Sequence, residues 1–196
     1  MAGAGRVVAG TAGGIQLAAA GPGTRALADR MKQALFGSLE PLLAGAAVLD
    51  LCAGTGAAAI EALSRGAASA VLVERDHGAV RVIEENLRRT GLAGQARVVR
   101  RDALAAVRDL ASSAARFDLV IVDAPYAETS LRDAILAALG AADGPLRAGS
   151  VVLATAHWRE PPPEEIGLLR SARVRRFGET AVTIYRREAG GAAGAD

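Results

Sequence analysis

Carboxylates stand at the ends of four short apolar runs, and this spacing is the first sign of chemistry in the chain. They are Asp50 in the run 48–51, Glu74 after 70–73, Asp102 after 97–99 and Asp123 after 118–122. Near-continuous apolar runs of this length are typical of strands buried on both faces of a parallel sheet. Because parallel strands end at one edge, the sequence predicts that these carboxylates surround a ligand there.

The first carboxylate belongs to a glycine-containing segment, Asp50-Leu51-Cys52-Ala53-Gly54-Thr55-Gly56. Glycine allows the tight turn and the close approach of backbone to ligand that nucleotide sites require. A phosphate-binding loop would not place a carboxylate beside its anion, and the segment lacks the Gly-Lys-Ser/Thr of a P-loop. S-adenosylmethionine fits better, because its amino acid end carries an ammonium. We therefore predict this cofactor, with S-adenosylhomocysteine as product, and no metal.

Two further carboxylates suit the nucleoside part of that cofactor. Glu74 can accept hydrogen bonds from both ribose hydroxyls, and Asp102 can accept one from the adenine amine. A carboxylate that closes a strand is also a common helix N-cap, so one alone would indicate little. The predicted cofactor-binding residues are Asp50, Ala53, Gly54, Gly56, Glu74, Arg75, Asp102, Ala103 and Asp123.

The predicted catalytic residues are Asp123, Ala124, Pro125 and Tyr126, which differ by one residue from the Asp-Pro-Pro-Tyr motif of amino-methylating enzymes. An exocyclic amine is a poor nucleophile because its lone pair is delocalised into the ring. The Asp123 carboxylate and the Ala124 carbonyl can accept its two hydrogens, and Tyr126 can stack on a base flipped out of its helix. Alanine still supplies the main-chain carbonyl, and Pro125 still favours extended geometry at Ala124. The alternative is an ordinary turn after a strand.

Other chemistry is disfavoured by the same residues. Cytosine C5 methylation requires a nucleophilic cysteine beside this proline, and Tyr126 occupies that place. Cys52 is assigned to packing in the cofactor loop. His77 and His157 are isolated histidines, and no catalytic role is predicted for either.

The elements that must position these residues alternate along the chain. Helical patterns lie around 57–64, 79–89, 104–110 and 131–139, between the apolar runs and a fifth strand at 150–154. An earlier helical pattern begins at an N-cap, Thr24, and ends at Pro41, while two late β runs, 172–177 and 181–185, flank Gly178 like a hairpin. The alternation predicts a doubly wound α/β domain with a mostly parallel sheet, which ends in a C-terminal antiparallel hairpin.

Length and composition limit the number of domains and the cellular location that can be expected. The 196 residues fit one domain with a small appendage, and no stretch resembles a signal peptide or a membrane span. The single cysteine excludes an internal disulfide. These features predict a cytoplasmic protein. A net charge of +2 permits a nucleic-acid partner without requiring one.

The chain resembles the bacterial 16S rRNA guanine-N2 methyltransferases of the RsmD type, which are class I S-adenosylmethionine-dependent enzymes. The similarity is carried by Arg6-Val7-Val8-Ala9-Gly10, Gly23-Thr24-Arg25, Asp29-Arg30, Ala34-Leu35-Phe36, segments 48–56 and 60–67, Glu74, Glu85-Asn86-Leu87 and Asp123-Ala124-Pro125-Tyr126. The prefix and Ser64-Arg65-Gly66-Ala67 separate this family from DNA adenine methyltransferases. The chain departs from the family at Gly14-Ile15-Gln16, Ala26, Cys52 and Ala124, which puts RNA affinity and target identity in question.

The resemblance implies methylation of one guanine in 16S rRNA, within a partly assembled small subunit, by a monomeric enzyme. It also implies a Rossmann-like class I methyltransferase fold with a seven-stranded sheet, in a methyltransferase domain at 24–188. The sequence pattern predicts a β-hairpin or a loose arm at 1–23 and a disordered tail at 189–196, and the resemblance implies that the arm contacts RNA. The predicted substrate contacts are Arg6, Arg25, Arg30, Lys32 and Tyr126. A solvated helix face is the alternative for the basic residues of the helix.

Three functions stay open from the sequence. The first is rRNA guanine-N2 methylation. The second keeps amino methylation but changes the acceptor to DNA adenine or another RNA base; glutamine methylation is less favoured because it uses asparagine in place of Asp123. The third is a catalytically weak RNA-binding assembly factor that retains the cofactor fold.

Overall fold

The computed structural model describes residues 5–19 and 29–189. Contacts divide the chain into two compact units, Met1–Ala103 and Leu104–Asp196. The predictions for Thr24 and Arg25 lie outside the described residues, as does most of the predicted tail. Across the described ranges, no helix is long and apolar enough to span a membrane.

The first unit is built on three parallel strands with helices between them. Its elements are α1 (Asp29–Leu43), β1 (Ala47–Leu51), α2 (Ala57–Ser64), β2 (Ser69–Glu74), α3 (His77–Thr90), a 3-10 turn (Ala93–Gln95) and β3 (Ala96–Arg100). Strand β2 lies between β1 and β3, with Val48 opposite Ala70 and Ala70 opposite Ala96. The three apolar runs therefore form adjacent parallel strands that end at one edge, as the sequence predicted.

Local sequence explains where these helices begin and end. The Asp76 carboxylate caps α3 by accepting from the Ala79 amide at 2.7 Å. Gly91 ends the helix in the left-handed region, with φ 72°. The prediction that α1 ends at Pro41 is wrong, since the helix continues to Leu43. Pro41 lies in the exposed last turn, where one missing amide hydrogen bond costs little, and burial of Leu43 stabilises the extra residues.

Residues 5–19 form a compact arm with one antiparallel bridge, between Arg6 and Gln16. Backbone hydrogen bonds join the Val7 amide to the Ile15 carbonyl at 2.9 Å and the Gly14 amide to the Val7 carbonyl at 2.8 Å. Val7, Ala12 and Leu17 are buried. The arm is therefore held in place by packing as well as by its own hydrogen bonds.

Helix α2 supplies most of the polar contacts that dock the arm. The Glu61 carboxylate accepts from the Val8 amide at 2.7 Å and from the Ala9 amide at 3.1 Å. The Ser64 hydroxyl donates to the Ala9 carbonyl at 2.6 Å and accepts from the Ala12 amide at 2.9 Å. These side chains satisfy backbone groups of the arm that would otherwise be buried without partners.

Asn86 of α3 joins the arm to the loop after β1. Its side-chain carbonyl accepts from the Ala18 amide at 2.7 Å, and its side-chain amide donates to the Ala18 carbonyl at 3.1 Å. The same amide donates to the Thr55 carbonyl at 3.0 Å. Asn86 is fully buried, so one side chain ties the arm to the glycine-containing segment.

The second unit combines one parallel pair with an antiparallel end. Its elements are α4 (Ala103–Ala111), β4 (Phe117–Val122), α5 (Thr129–Gly140), β5 (Leu146–His157), β6 (Glu165–Ile166), β7 (Leu169–Phe177) and β8 (Thr180–Arg187). Strands β4 and β5 are parallel, whereas β5 pairs antiparallel with β8, β8 with β7 and β7 with β6. The predicted hairpin around Gly178, which has φ 63°, is confirmed.

Two strand predictions need correction. Strand β5 runs to His157 rather than ending at Ala154, because three more residues pair with β8. The described strands number eight rather than seven, since the two-residue strand β6 pairs with the start of β7. Near β6, the chain is also held by Tyr185 of β8. Its hydroxyl donates to the Pro163 carbonyl at 2.7 Å, and burial raises the pKa of Tyr185 to about 12.

Candidate functional site

The loop after β1 has an unusual backbone. Cys52, Gly54 and Gly56 all have positive φ, at 61°, 57° and 76°. The Ala53 amide donates to the Val73 carbonyl at 3.0 Å, and the Gly56 amide donates to the Ala53 carbonyl at 2.7 Å. A non-glycine residue in the left-handed region is strained, and such strain concentrates at ligand sites.

Glu74, at the end of β2, fixes this loop. One carboxylate oxygen accepts from the Gly54 amide at 2.9 Å, and the other accepts from the Asp76 amide at 2.9 Å. The half-buried carboxylate therefore bridges the loops that follow β1 and β2. Each oxygen has a second lone pair for a ligand hydroxyl, so this geometry agrees with a ribose contact.

Asp50 is placed deeper than the sequence suggested. It is 1 % exposed, and its carboxylate accepts from the Ala59 amide at 3.1 Å in the first turn of α2. A carboxylate at this point stabilises the helix N-terminus and so orients the segment from Gly54 to Gly56. The position suits a positioning residue, and a direct contact between Asp50 and the cofactor stays a prediction.

The third strand contributes exposed groups. The Arg101 amide donates to the Glu74 carbonyl at 3.1 Å, which ties the segment after β3 to the end of β2. Asp102 and Arg75 are exposed, and Ala103 is buried as the first residue of α4. Asp102 is therefore accessible at the strand end where an adenine amine was predicted.

The donor set of the first unit fits S-adenosylmethionine. Glu74 and Asp102 supply acceptors for hydroxyls and an amine, and the acidic set Asp50, Glu74 and Asp102 favours a ligand that carries an ammonium and a sulfonium. No group of three or more His, Cys, Asp or Glu side chains within the described ranges could hold a metal ion.

Replacing Gly56 with alanine is expected to weaken cofactor binding and lower stability by roughly 1 to 2 kcal/mol, because an L residue is strained at φ 76°. The new Cβ would lie 3.1 Å from Leu72 Cδ2 and 3.3 Å from Ile83 Cγ2, which adds crowding. Urea unfolding and a titration with S-adenosylhomocysteine measure the two effects.

Gly91→Ala is the matched control. Gly91 has φ 72°, and a Cβ there meets nothing within 4 Å. It should lose stability through strain alone and keep cofactor affinity. Equal affinity losses in both variants would contradict a specific role for Gly56 in the binding loop.

In the second unit, Asp123 follows β4 and is oriented by β5. The Thr155 hydroxyl donates to the Asp123 carboxylate. Ala124 is buried and Pro125 is exposed, while the Glu128 amide donates to the Pro125 carbonyl at 2.8 Å and closes a turn. The carboxylate of the motif is thus held by a side chain of β5, and the residues that follow it form a closed turn.

Tyr126 is held from two neighbouring strands. Its hydroxyl is hydrogen-bonded to the Thr180 hydroxyl, and its ring lies edge-on to His157, with 6.3 Å between ring centroids. The described geometry therefore brings the predicted catalytic residues together in a short, anchored turn.

The supporting residues Thr155, His157 and Thr180 were not predicted as part of the site. All three lie on β5 or β8, and placing the end of β5 at Ala154 left Thr155 and His157 outside it. The usable signal was the continuing alternation of Thr155-Ala156-His157, which is typical of a strand that goes on.

The predicted RNA-contacting residues of the arm and α1 behave differently from one another. Arg30 is exposed, and Arg6 is exposed but paired with Asp29 at 3.3 Å. Lys32 is fully buried, donates to the Arg6 carbonyl and lies 3.4 Å from the Asp29 carboxylate. The prediction that Lys32 contacts phosphate is wrong in this structure, because its ammonium is directed into the protein.

Asp29 therefore belongs to the docking of the arm. Burial raises the pKa of Asp29, but the Arg6 amide and the Lys32 ammonium lower it by more, and the pKa falls below its usual range. These charges hold the arm to α1 rather than face a ligand.

Comparison with known proteins places these features in a family. The family model described as "Conserved hypothetical protein 95" matches residues 5–186. The chain is 35% identical over 184 residues to "Putative rRNA methyltransferase YlbH" of Bacillus subtilis, covering 93% of this chain and 98% of the relative. It is 34% identical over 175 residues to "Ribosomal RNA small subunit methyltransferase D" of Escherichia coli K12, covering 89% and 85%.

A solved structure agrees with the sequence relatives. "Putative methyltransferase yhhF" from Escherichia coli superposes with a TM-score of 0.82 at 30% identity, covering 95% of this chain and 99% of that one. The Rossmann-like α/β fold and the resemblance predicted from the sequence are both confirmed. The chain therefore belongs to the family of conserved hypothetical protein 95, together with the small-subunit rRNA methyltransferase D proteins.

Proposed function

We propose that this protein transfers a methyl group from S-adenosylmethionine to the exocyclic N2 amine of a guanine in 16S ribosomal RNA. The observation that carries the proposal is the anchored turn Asp123–Tyr126, in which a carboxylate and an aromatic ring are both oriented by strand hydroxyls. The names of the relatives support rRNA as the substrate class.

The chain's part in the reaction is to align and polarise the acceptor. The Asp123 carboxylate and the Ala124 carbonyl accept the two hydrogens of the amine, which favours a tetrahedral nitrogen with its lone pair available. The Thr155 hydroxyl keeps the carboxylate in one orientation, so little reorganisation is needed when charge develops. The Asp123 carboxylate can also accept the proton that the amine loses on methylation.

Tyr126 holds the base. A guanine presented to the motif must leave its stack, and an aromatic ring replaces part of the lost stacking. Hydrogen bonding to Thr180 and the edge contact with His157 restrict how the ring can turn.

The residues proposed for the cofactor are the loop 53–56, Glu74, Arg75, Asp102 and Ala103, with Asp50 orienting the loop. When bound, S-adenosylmethionine supplies an activated methyl group on a sulfonium, so the protein need not activate the donor. Glu74 accepts from the ribose hydroxyls, and Asp102 accepts from the adenine amine.

We propose the substrate to be a partly assembled small subunit and the enzyme to act as a cytoplasmic monomer. Arg6 and Arg30 remain candidate phosphate contacts near the arm, while Lys32 does not.

The test is incubation of the full chain with radiolabelled S-adenosylmethionine and 30S particles or 16S rRNA from cells that lack guanine-N2 methylation. Nucleoside analysis should recover the label as N2-methylguanosine. Parallel reactions contain duplex DNA and 30S particles that already carry the modification. Label in adenine of the DNA would overturn the acceptor assignment, and cofactor binding without any labelled nucleoside would favour an assembly factor.

Ala124→Pro is expected to preserve or raise turnover. The variant restores the Asp-Pro-Pro-Tyr motif, and no hydrogen bond from the Ala124 amide is found to any residue in the described ranges, so proline removes none. The measurement is kcat on 30S particles, with the midpoint of thermal unfolding as the control for folding. A folded but inactive variant would mean that this turn needs a backbone shape that proline prevents.

A further inference from the structure

The antiparallel end of the second unit carries concentrated positive charge. Strands β7 and β8 contain no acidic residue and six arginines, namely Arg170, Arg173, Arg175, Arg176, Arg186 and Arg187. The whole chain has a net charge of only +2. Glu179 lies in the turn between these strands and Arg187 is buried, so the outward excess comes from Arg173, Arg175, Arg176 and Arg186, and it creates a field that a polyanion would meet.

Strand register puts part of this charge on the same sheet face as Thr155 and Thr180, which hold the turn Asp123–Tyr126, called the acceptor turn below. Thr155 is opposite Val182, which is opposite Arg175. In the next row of that face, His157 is opposite Thr180, which is opposite Phe177. Residues directly opposed in paired strands point to one face, and so do alternate residues of a strand.

Both rows contain a residue that holds the acceptor turn. Thr155 donates to Asp123, and Thr180 is bonded to Tyr126. Arg175 and Phe177 lie two strands further along the rows, or roughly 10 Å across the sheet at about 4.8 Å per strand. Arg173, two residues before Arg175, is exposed on the same face.

The arginines of these strands differ in their partners. Arg170 pairs with Glu165 and Glu188 at 3.5 Å, and Arg187 is buried and donates to the Ala141 and Ala142 carbonyls. No ion pair of Arg173 or Arg176 is formed with any carboxylate in the described part of the chain. Arg175 lies over the Phe177 ring, 5.8 Å from its centroid. This cation–π contact is attractive and leaves the Arg175 side chain half-exposed.

A second basic and aromatic group adjoins the end of β5. The guanidinium groups of Arg176 and Arg159 lie 3.8 Å and 4.8 Å from the centroid of the Trp158 ring. Trp158 is next to His157, whose ring contacts Tyr126. Aromatic rings interleaved with arginine are typical of surfaces that bind single-stranded nucleic acid.

We propose that Arg173, Arg175 and Phe177, named here the β7 surface, bind the phosphate backbone and an unpaired base of the RNA strand that flanks the acceptor guanine. Arg176 points to the opposite face, so Trp158, Arg159 and Arg176 would contact the strand only where it passes around the hairpin end. This proposal rests on the proposed function for its substrate. It assigns RNA recognition to the C-terminal hairpin, in addition to any contact made by the arm.

The test compares Arg173→Gln/Arg175→Gln with the wild-type protein. With 30S particles lacking guanine-N2 methylation, we expect KM for the particles to rise roughly tenfold, with kcat changed less than about twofold. Filter binding to 16S rRNA should lose about 1.4 from the slope of log affinity against log salt, at about 0.7 per single-strand phosphate contact. Arg173→Lys/Arg175→Lys should recover most of the affinity, because the charge is retained.

The control is Arg116→Gln/Arg147→Gln, which removes two arginine side chains from the same unit, one of them paired with Asp118. Arg116 precedes β4 and Arg147 lies at the start of β5, at the opposite end of these parallel strands from Asp123. Equal effects in the two double variants would overturn the proposal, as would unchanged RNA binding in Arg173→Gln/Arg175→Gln. If the wild-type protein binds 16S rRNA through this surface but methylates none, the proposed function fails while the RNA site stands.

Discussion

Asp123→Ala is expected to lower methyl transfer to 30S particles by about a hundredfold or more while leaving S-adenosylhomocysteine affinity within a few-fold. The variant removes the acceptor that aligns the amine and receives its proton, and losses of this size are usual when a preorganised polar group is deleted. It also leaves the Thr155 hydroxyl without its carboxylate partner. Single-turnover transfer and a cofactor titration measure the two quantities.

Asp118→Ala is the control for that variant. Asp118 lies in β4, near the end opposite to Asp123, and its carboxylate pairs with Arg147 at 2.7 Å on the surface. We expect nearly normal transfer, since an exposed ion pair contributes less than about 1 kcal/mol. Undiminished transfer by Asp123→Ala would remove the acceptor role from that residue, and a loss in Asp118→Ala as large as in Asp123→Ala would point to general damage to β4.

Glu61→Ala is expected to destabilise the protein by roughly 3 to 5 kcal/mol, the usual cost of removing one member of a buried ion pair. Glu61 is fully buried, accepts from the Val8 and Ala9 amides and pairs with Arg65 at 2.7 Å. The variant leaves the Arg65 guanidinium, itself only 3% exposed, without its carboxylate. Urea unfolding at constant pH gives the free energy directly.

Glu85→Ala is the control that shows how much of the stability loss in Glu61→Ala comes from burial of the ion pair. Glu85 and Arg89 also form a Glu–Arg pair four residues apart on a helix, but both side chains are nearly half exposed, at 45% and 44%. This variant should lose no more than about 0.5 kcal/mol. If both glutamate variants lost equal stability, the docking of the arm by Glu61 would contribute nothing beyond an ordinary helix pair.

The strands and the turn Asp123–Tyr126 could be predicted from the sequence because they depend on local patterns. Apolar runs of strand length gave β1 to β4, and the residues at their ends gave Glu74 and Asp123. The alternation at 155–157 could have extended β5, but the support that Thr155 and Thr180 give to the turn could not be predicted, because they come from strands that are adjacent only after folding. Lys32 illustrates the same limit in reverse: its charge suggested a surface role, and only the docked arm reveals why it is buried.

The arm can dock only after Glu61 and Asn86 have been synthesised. The arm is synthesised before its partners, because Glu61 and Asn86 lie 53 and 68 residues further along than Val8 and Ala18. At about 5 to 20 residues per second, the arm waits roughly 3 to 14 s before it can dock. A truncation that removes the arm would spare that wait but would leave Glu61, Ser64 and Asn86 with unmatched polar groups. The arm is thus made before the helices that dock it, and it becomes ordered only after they have been synthesised.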